Sequence, residues 1–110
     1  MKKLLFICSQ NRLRSPTAEQ TFNGIDGIEV ASAGLNHDAI EPLTPALLEW
    51  ADFIFVMEKA HLNRMRKRFG KHLTHQRVVC LDIPDVYDYM DPVLVRLLET
   101  RVRRHLGFQK

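Results

Sequence analysis

The residues best suited to chemistry in this chain are Cys8 and Arg14, in a Cys-x5-Arg spacing. Ahead of them runs Lys-Leu-Leu-Phe-Ile-Cys (3–8), an apolar stretch of strand length. Behind them, Ser-Pro-Thr-Ala-Glu-Gln-Thr-Phe (15–22) opens like a helix. Ser15 suits the N-cap, Pro16 the first helical position, and Glu19 would put negative charge in the first turn. A short loop that feeds a helix N-terminus turns successive backbone N–H groups inward and makes an anion-binding nest. Ser9, Gln10, Asn11, Arg12 and Leu13, with Ser15 behind them, would form it. Asn11 helps because asparagine tolerates positive φ. Arg14 offers a planar fork that matches two phosphate oxygens. The same positive field favours a thiolate over a thiol. A thiolate at the floor of a phosphate cradle is an in-line nucleophile. The competing reading is a buried, inert cysteine followed by surface arginines.

These residues need a scaffold, and the rest of the chain supplies one. Its 110 residues favour one domain, 1–110, with a modest core. The formal charge of +3 is low for a nucleic-acid platform, so no nucleic-acid partner is expected. No apolar run reaches transmembrane length, and the N-terminus gives no convincing signal peptide. The cysteines, Cys8 and Cys80, do not make a disulfide scaffold and fit a reducing cytoplasm. No repeat, low-complexity stretch or linker is evident.

Strands are expected at 3–8, 28–34, 53–57 and 77–83. Helices are expected at 16–23, from Pro45 to about Ala51, at 60–69, and from Pro92 onward. Thr44 and Asp91 are the expected caps of the second and last helices, and Gly70 can end the third. Leu94, Leu97, Leu98, Val102 and Leu106 form an apolar stripe on the last helix. Strand and helix alternate four times. That implies an α/β fold with a parallel sheet and helices on both faces. Ligands bind beyond the carboxyl ends of such strands, where Cys8 would lie.

Cys8, Asn11, Arg14, Ser15 and Pro16 resemble the signature of the low-molecular-weight protein tyrosine phosphatases, C-x-G-N-x-C-R-S-P. Gln10 replaces the glycine and Leu13 the second cysteine. Ser-Ala-Gly (32–34), the segment from Ala51 to His61 and Ile-Pro-Asp-Val-Tyr (83–87) extend the likeness. The chain looks short for the family, with the shortening after Gly34 and before the acid loop. The resemblance implies a flavodoxin-like, three-layer doubly wound four-stranded sheet of order 2-1-3-4. It also implies phosphomonoester hydrolysis through a phosphocysteine intermediate. Asp85 matches the family's acid, with Asp88 as the alternative. Both could instead be ordinary turn residues. Ser15 would hydrogen-bond the Cys8 thiolate, as its family counterpart does, and still cap the helix.

Other residues carry two readings each. Tyr87 and Tyr89 either wall a cleft or pack the loop onto the sheet. Arg12 is either an exposed loop residue or extra charge at the cleft mouth. Cys80 reads as core; a resolving thiol would point to a thiol-dependent arsenate reductase. His61, His72 and His75 make no convincing metal set and read as surface. Trp50 reads as core, and the arginines of the last helix as a solvated face. No metal or cofactor is expected. The substrate would be a phosphorylated protein or a small phosphomonoester. A phosphate- or phosphopeptide-binding module without turnover is the non-enzymatic alternative.

Overall fold

The computed structural model describes residues 2–106. Strand β1 (Lys2–Cys8) is followed by α1 (Arg14–Phe22), β2 (Ile28–Gly34), α2 (Pro45–Trp50), β3 (Phe53–Val56), α3 (Lys59–Phe69), β4 (Arg77–Cys80) and α4 (Pro92–Leu106). The strands form one four-stranded sheet in the order β2-β1-β3-β4, all neighbours parallel. The expected order therefore holds. β1 is central because Leu4, Leu5, Phe6, Ile7 and Cys8 are apolar on both faces and all buried.

Each face has its own core. Phe6, Cys8 and Phe55 pack with Ala18 and Phe22 of α1 and Leu94, Leu98 and Val102 of α4. Leu5, Ile7 and Val56 pack on the opposite face with Leu48 of α2 and Met65 and Phe69 of α3. On the first face Phe6 stacks between Phe22 and Phe55, with ring centroids 5.8 and 5.4 Å away. The stripe expected on α4 is the one it buries, with Leu97 half-buried at its margin.

The caps divide. Thr44 Oγ1 accepts from the Leu47 N–H at 3.2 Å, and Asp91 Oδ1 from the Val93 N–H at 2.8 Å. Both behave as expected. Ser15 does not cap α1. The helix begins at Arg14, with Leu13 in the cap position and no side-chain cap bond. Glu19 therefore misses the first turn, and its carboxylate binds the Ser32 hydroxyl instead. Gly70 ends α3 in right-handed conformation, and the chain runs on into a 3₁₀ turn at Gly70–His72. β4 stops at Cys80, short of the expected 83, because Asp82 turns left-handed at φ 56°. Leu81 and Ile83 still donate to Val56 and Met57 carbonyls at 2.8 Å each, so the chain stays tied to β3 beyond the turn.

Candidate active site

Cys8 ends β1 at the carboxyl edge of the sheet, and its thiol is 4% exposed. The loop that follows folds back over it. Asn11 takes φ 55°, the left-handed conformation anticipated for it, and its N–H donates to Cys8 Sγ at 3.2 Å. Ser15 Oγ lies 2.9 Å from the same sulfur and donates to Asn11 Oδ1 at 2.8 Å. This explains why Ser15 does not cap: its hydroxyl is spent on the loop. One hydroxyl proton serves two acceptors. With Cys8 as a thiol, the S–H donates to Ser15 and Ser15 to Asn11. With Cys8 as a thiolate, the Ser15 hydroxyl turns to the sulfur.

Among the described residues, the backbone N–H groups of Ser9, Gln10, Arg12 and Leu13 donate to no protein group. Those unspent donors, at the entry to α1, are the physical basis of an anion cradle.

Arg14 is buried at the start of α1. Its Nη1 binds the Glu58 carboxylate and donates to the Ile83 carbonyl at 2.7 Å. Its Nε lies 3.7 Å from Asp85 Oδ1. The guanidinium is thus gripped by three groups on two stretches: Glu58 right after β3, and Ile83 and Asp85 in the segment after β4. A cavity of about 190 Å³ is lined by Cys8, Ser9, Gln10, Arg12, Leu13, Arg14 and Asp85. Asn11 and Ser15 sit behind it, buried. Asp85 therefore faces the cradle, with its side chain 61% exposed. Asp88 is exposed and outside that lining.

Two residues of this arrangement escaped the sequence reading. Glu58, right after β3, is the carboxylate that holds Arg14. His61, expected at the surface, is 3% exposed. Glu58 N–H donates to His61 Nδ1 at 3.1 Å, so that nitrogen carries no proton. The ring proton is on Nε2, which donates to Ser9 Oγ at 3.0 Å. Burial, then the nearby Arg14 charge, pushes the His61 pKa down to about 4. The imidazole is neutral at pH 7. The first turn of α3 thus holds both ends of the loop, Ser9 through His61 and Arg14 through Glu58. The only sequence signal was position: both residues follow directly after a strand's carboxyl end.

The segment after β2 braces the loop without lining the cavity. Leu35, Asn36 and Ile40 N–H groups donate to the carbonyls of Cys8, Ser9 and Gln10 at 3.0, 3.0 and 3.1 Å. Gly34 makes this approach possible. A Cβ there would stand 2.6 Å from Ala39 Cβ and 2.7 Å from the Ser9 carbonyl oxygen.

The remaining candidates fall away from the cavity. Tyr87 is half-buried against the core of α1 and α4, which fits loop packing, while Tyr89 is exposed. Cys80 is half-buried rather than core, and burial pushes its thiol pKa up. Ile7, Val56 and Cys80 stand in register across the sheet. Cys80 packs with the α2 and α3 core, Cys8 with that of α1 and α4. The two thiols lie on opposite faces, two strands apart. At about 4.8 Å per strand their Cα atoms are well beyond disulfide reach. Trp50 is half-buried, with Lys3 Nζ 6.0 Å from its ring. Arg101 is not simply solvated, since it donates to the Leu81 and Asp82 carbonyls. Among the described residues no group of three His, Cys, Asp or Glu could hold a metal ion, and no helix is long and apolar enough to cross a membrane.

Known proteins share the fold and, over one segment, the sequence pattern of the loop. No curated protein matches the chain. Residues 3–49, which carry the loop, match the family described as low molecular weight phosphotyrosine protein phosphatase. Among solved structures, the low molecular weight protein tyrosine phosphatase SP-PTP from Streptococcus pyogenes is similar at TM-score 0.78 and 17% identity, covering 100% of this chain and 95% of that one. The YwlE arginine phosphatase from Geobacillus stearothermophilus is similar at 0.74 and 20%, covering 97% and 94%. The tyrosine phosphatase Wzb from Escherichia coli, in complex with phosphate, is similar at 0.74 and 22%, covering 96% of each chain. The family match thus rests on the loop-bearing segment, residues 3–49, while the solved phosphatases share the fold along nearly the whole chain.

Proposed function

We propose that residues 1–110 are one phosphatase domain that hydrolyses phosphomonoesters through a phosphocysteine at Cys8. The observation that carries this reading is the convergence of the Cys8 thiol, the Arg14 guanidinium and the Asp85 carboxyl on one small cavity. The Cys8 thiolate attacks phosphorus, and the bond from phosphorus to the ester oxygen breaks. Asp85, protonated, gives its proton to the departing oxygen. Water then attacks phosphorus, Asp85 takes the water proton, the S–P bond breaks, and phosphate leaves. Arg14 and the unspent loop amides hold the phosphoryl oxygens through both steps, where charge develops. Ser15 and the Asn11 N–H stabilise the departing thiolate from below.

Phosphorylated proteins and small phosphomonoesters are both admissible substrates. The cytoplasm, where Cys8 stays reduced, is the compartment that suits such a nucleophile. The opposite-face placement of Cys80 and its raised pKa argue against an arsenate reductase that uses it as resolving thiol. The retained Cys8, Arg14 and Asp85 together argue against a module that only binds.

The test is para-nitrophenyl phosphate under rapid mixing. A burst of para-nitrophenol stoichiometric with protein, absent in Cys8→Ser, is the expected result. Tight phosphate binding without any released para-nitrophenol would assign the chain to the binding module instead.

A further inference from the structure

Two guanidinium groups line the cavity, and they differ in state. Arg14, at the floor, is buried and engaged by Glu58, Asp85 and the Ile83 carbonyl. Arg12, at the rim, is exposed and, among the described residues, makes no hydrogen bond or ion pair. The two carboxylates near the cavity, Glu58 and Asp85, both face Arg14, so neither is paired with Arg12. Gln10, an uncharged residue, also lines the cavity. No aromatic ring is part of the lining: Tyr87 is half-buried against the core of α1 and α4, and Tyr89 is exposed outside the lining.

A mouth without ring walls gives a phenyl group nothing to stack on. A rim with an unpaired guanidinium gives a second anion a place to bind, since its planar fork matches carboxylate and phosphate alike. We propose that Arg12 is a specificity-determining residue that reads a second anionic group on the substrate. That group is a phosphate or carboxylate a few atoms from the phosphorylated oxygen. Polyanionic phosphomonoesters are then preferred to isolated phosphotyrosine. The proposal rests on the phosphatase reading and adds to it the chemistry of the leaving group. A cationic leaving group, such as a phosphorylated arginine, is disfavoured by the same charge.

The second anion could belong to a small bisphosphate or to an acidic side chain beside a phosphorylated residue. Steady-state kinetics on the intact chain distinguish the two. The substrates are adenosine 3′,5′-bisphosphate against adenosine 5′-monophosphate, and phosphotyrosine peptides with aspartate neighbours against the same peptides with asparagine. In whichever pair is closer to the natural substrate, the polyanionic member is expected to have about fivefold higher kcat/KM at low salt, the scale of one exposed ion pair. The ratio shrinks toward physiological salt because the rim charge is screened. Arg12→Ala brings the ratio near one, and Arg12→Glu inverts it. A ratio the same in Arg12→Ala as in the parent overturns the proposal. Calorimetry with pyrophosphate against phosphate keeps it separate from the question of turnover. A pyrophosphate preference lost in Arg12→Ala upholds the rim site even in a chain that hydrolyses nothing. Equal affinities for both anions in the parent overturn it.

Discussion

In the loop from Cys8 to Arg14, the side chains that matter are buried and bonded. Asn11 holds Cys8 and Ser15, Ser15 holds Cys8, and Arg14 is gripped by three groups. Across the cavity, the stretch from Asp82 to Asp91 is built otherwise. Pro84, Asp85, Val86, Asp88 and Tyr89 are all exposed. Its anchors lie near its ends, at the Ile83 N–H on the Met57 carbonyl and the Met90 N–H on Thr17 Oγ1 at 2.9 Å. Asp82 and Met90 each take a positive φ, 56° and 60°, where the stretch turns in and out. A group that binds the phosphoryl oxygens acts best when it needs no rearrangement at the moment of reaction. A group that protonates the leaving oxygen must meet alcohols of differing shape. Under the proposed function, the rigid side is the one that reads phosphate and the exposed side the one that adapts to what carries it.

The largest effect should come from the rigid side. Cys8→Ser is expected to lower turnover of every substrate by about three orders of magnitude or more, while phosphate still protects the fold against heat. Residual activity within tenfold of the parent would mean that the nucleophile lies elsewhere.

On the exposed side the loss should depend on the leaving group. Asp85→Asn is expected to cost about a hundredfold with alkyl phosphates, and only a few-fold with para-nitrophenyl phosphate, whose oxygen leaves without a proton. A larger loss in Asp88→Asn would move the acid three residues along and break the contrast.

A smaller effect tests how rigid the first loop is. His61 is neutral in the folded chain, with its pKa pushed down to about 4 by burial and then by Arg14. An unfolded histidine titrates near 6.5, so between those values the unfolded chain binds the extra proton. The stability that His61 contributes is complete above about pH 6.5 and is lost as pH falls toward 4, by on the order of 3 kcal/mol. Chemical denaturation across that range should show this slope, and His61→Gln should flatten it. An equal slope in both proteins would place the acid sensitivity elsewhere.

The smallest effect belongs to Cys80→Ala. The thiol is half-buried on the far face, so activity should stay within twofold of the parent and stability within about 1 kcal/mol. A loss of turnover would tie the two faces together chemically.

The fold was legible because its strongest signals were local. Leu-Leu-Phe-Ile-Cys and Phe-Ile-Phe-Val are buried on both faces and read as central strands without any knowledge of neighbours. The nearness of Cys8, Asn11 and Arg14 was legible for the same reason, since spacing within one loop is enough to bring them together. Ser15 was half legible. Its bond to Cys8 was anticipated, but a hydroxyl already committed to sulfur and to Asn11 has nothing left for a cap. Glu58 and His61 were not legible. They reach the loop only because the sheet order sets β3 beside β1, and residue spacing does not encode that distance. The end of β4 was missed because Asp82 adopts a conformation that its residue type allows but does not require.

Gly34 lets the segment after β2 close on the loop. The backbone bonds from 35, 36 and 40 to the carbonyls of Cys8, Ser9 and Gln10 fasten the segment after β2 to the loop, and the missing Cβ lets them close. Loops are ordinarily where a protein family tries out new specificities, because insertions there leave the scaffold untouched. In this chain that freedom is curtailed. A longer or bulkier segment after β2 would pull on the carbonyls of Cys8, Ser9 and Gln10, so a change there disturbs the loop that holds Cys8. Diversification is left to the side chains that line the cavity without holding the loop together, those of Gln10 and Arg12.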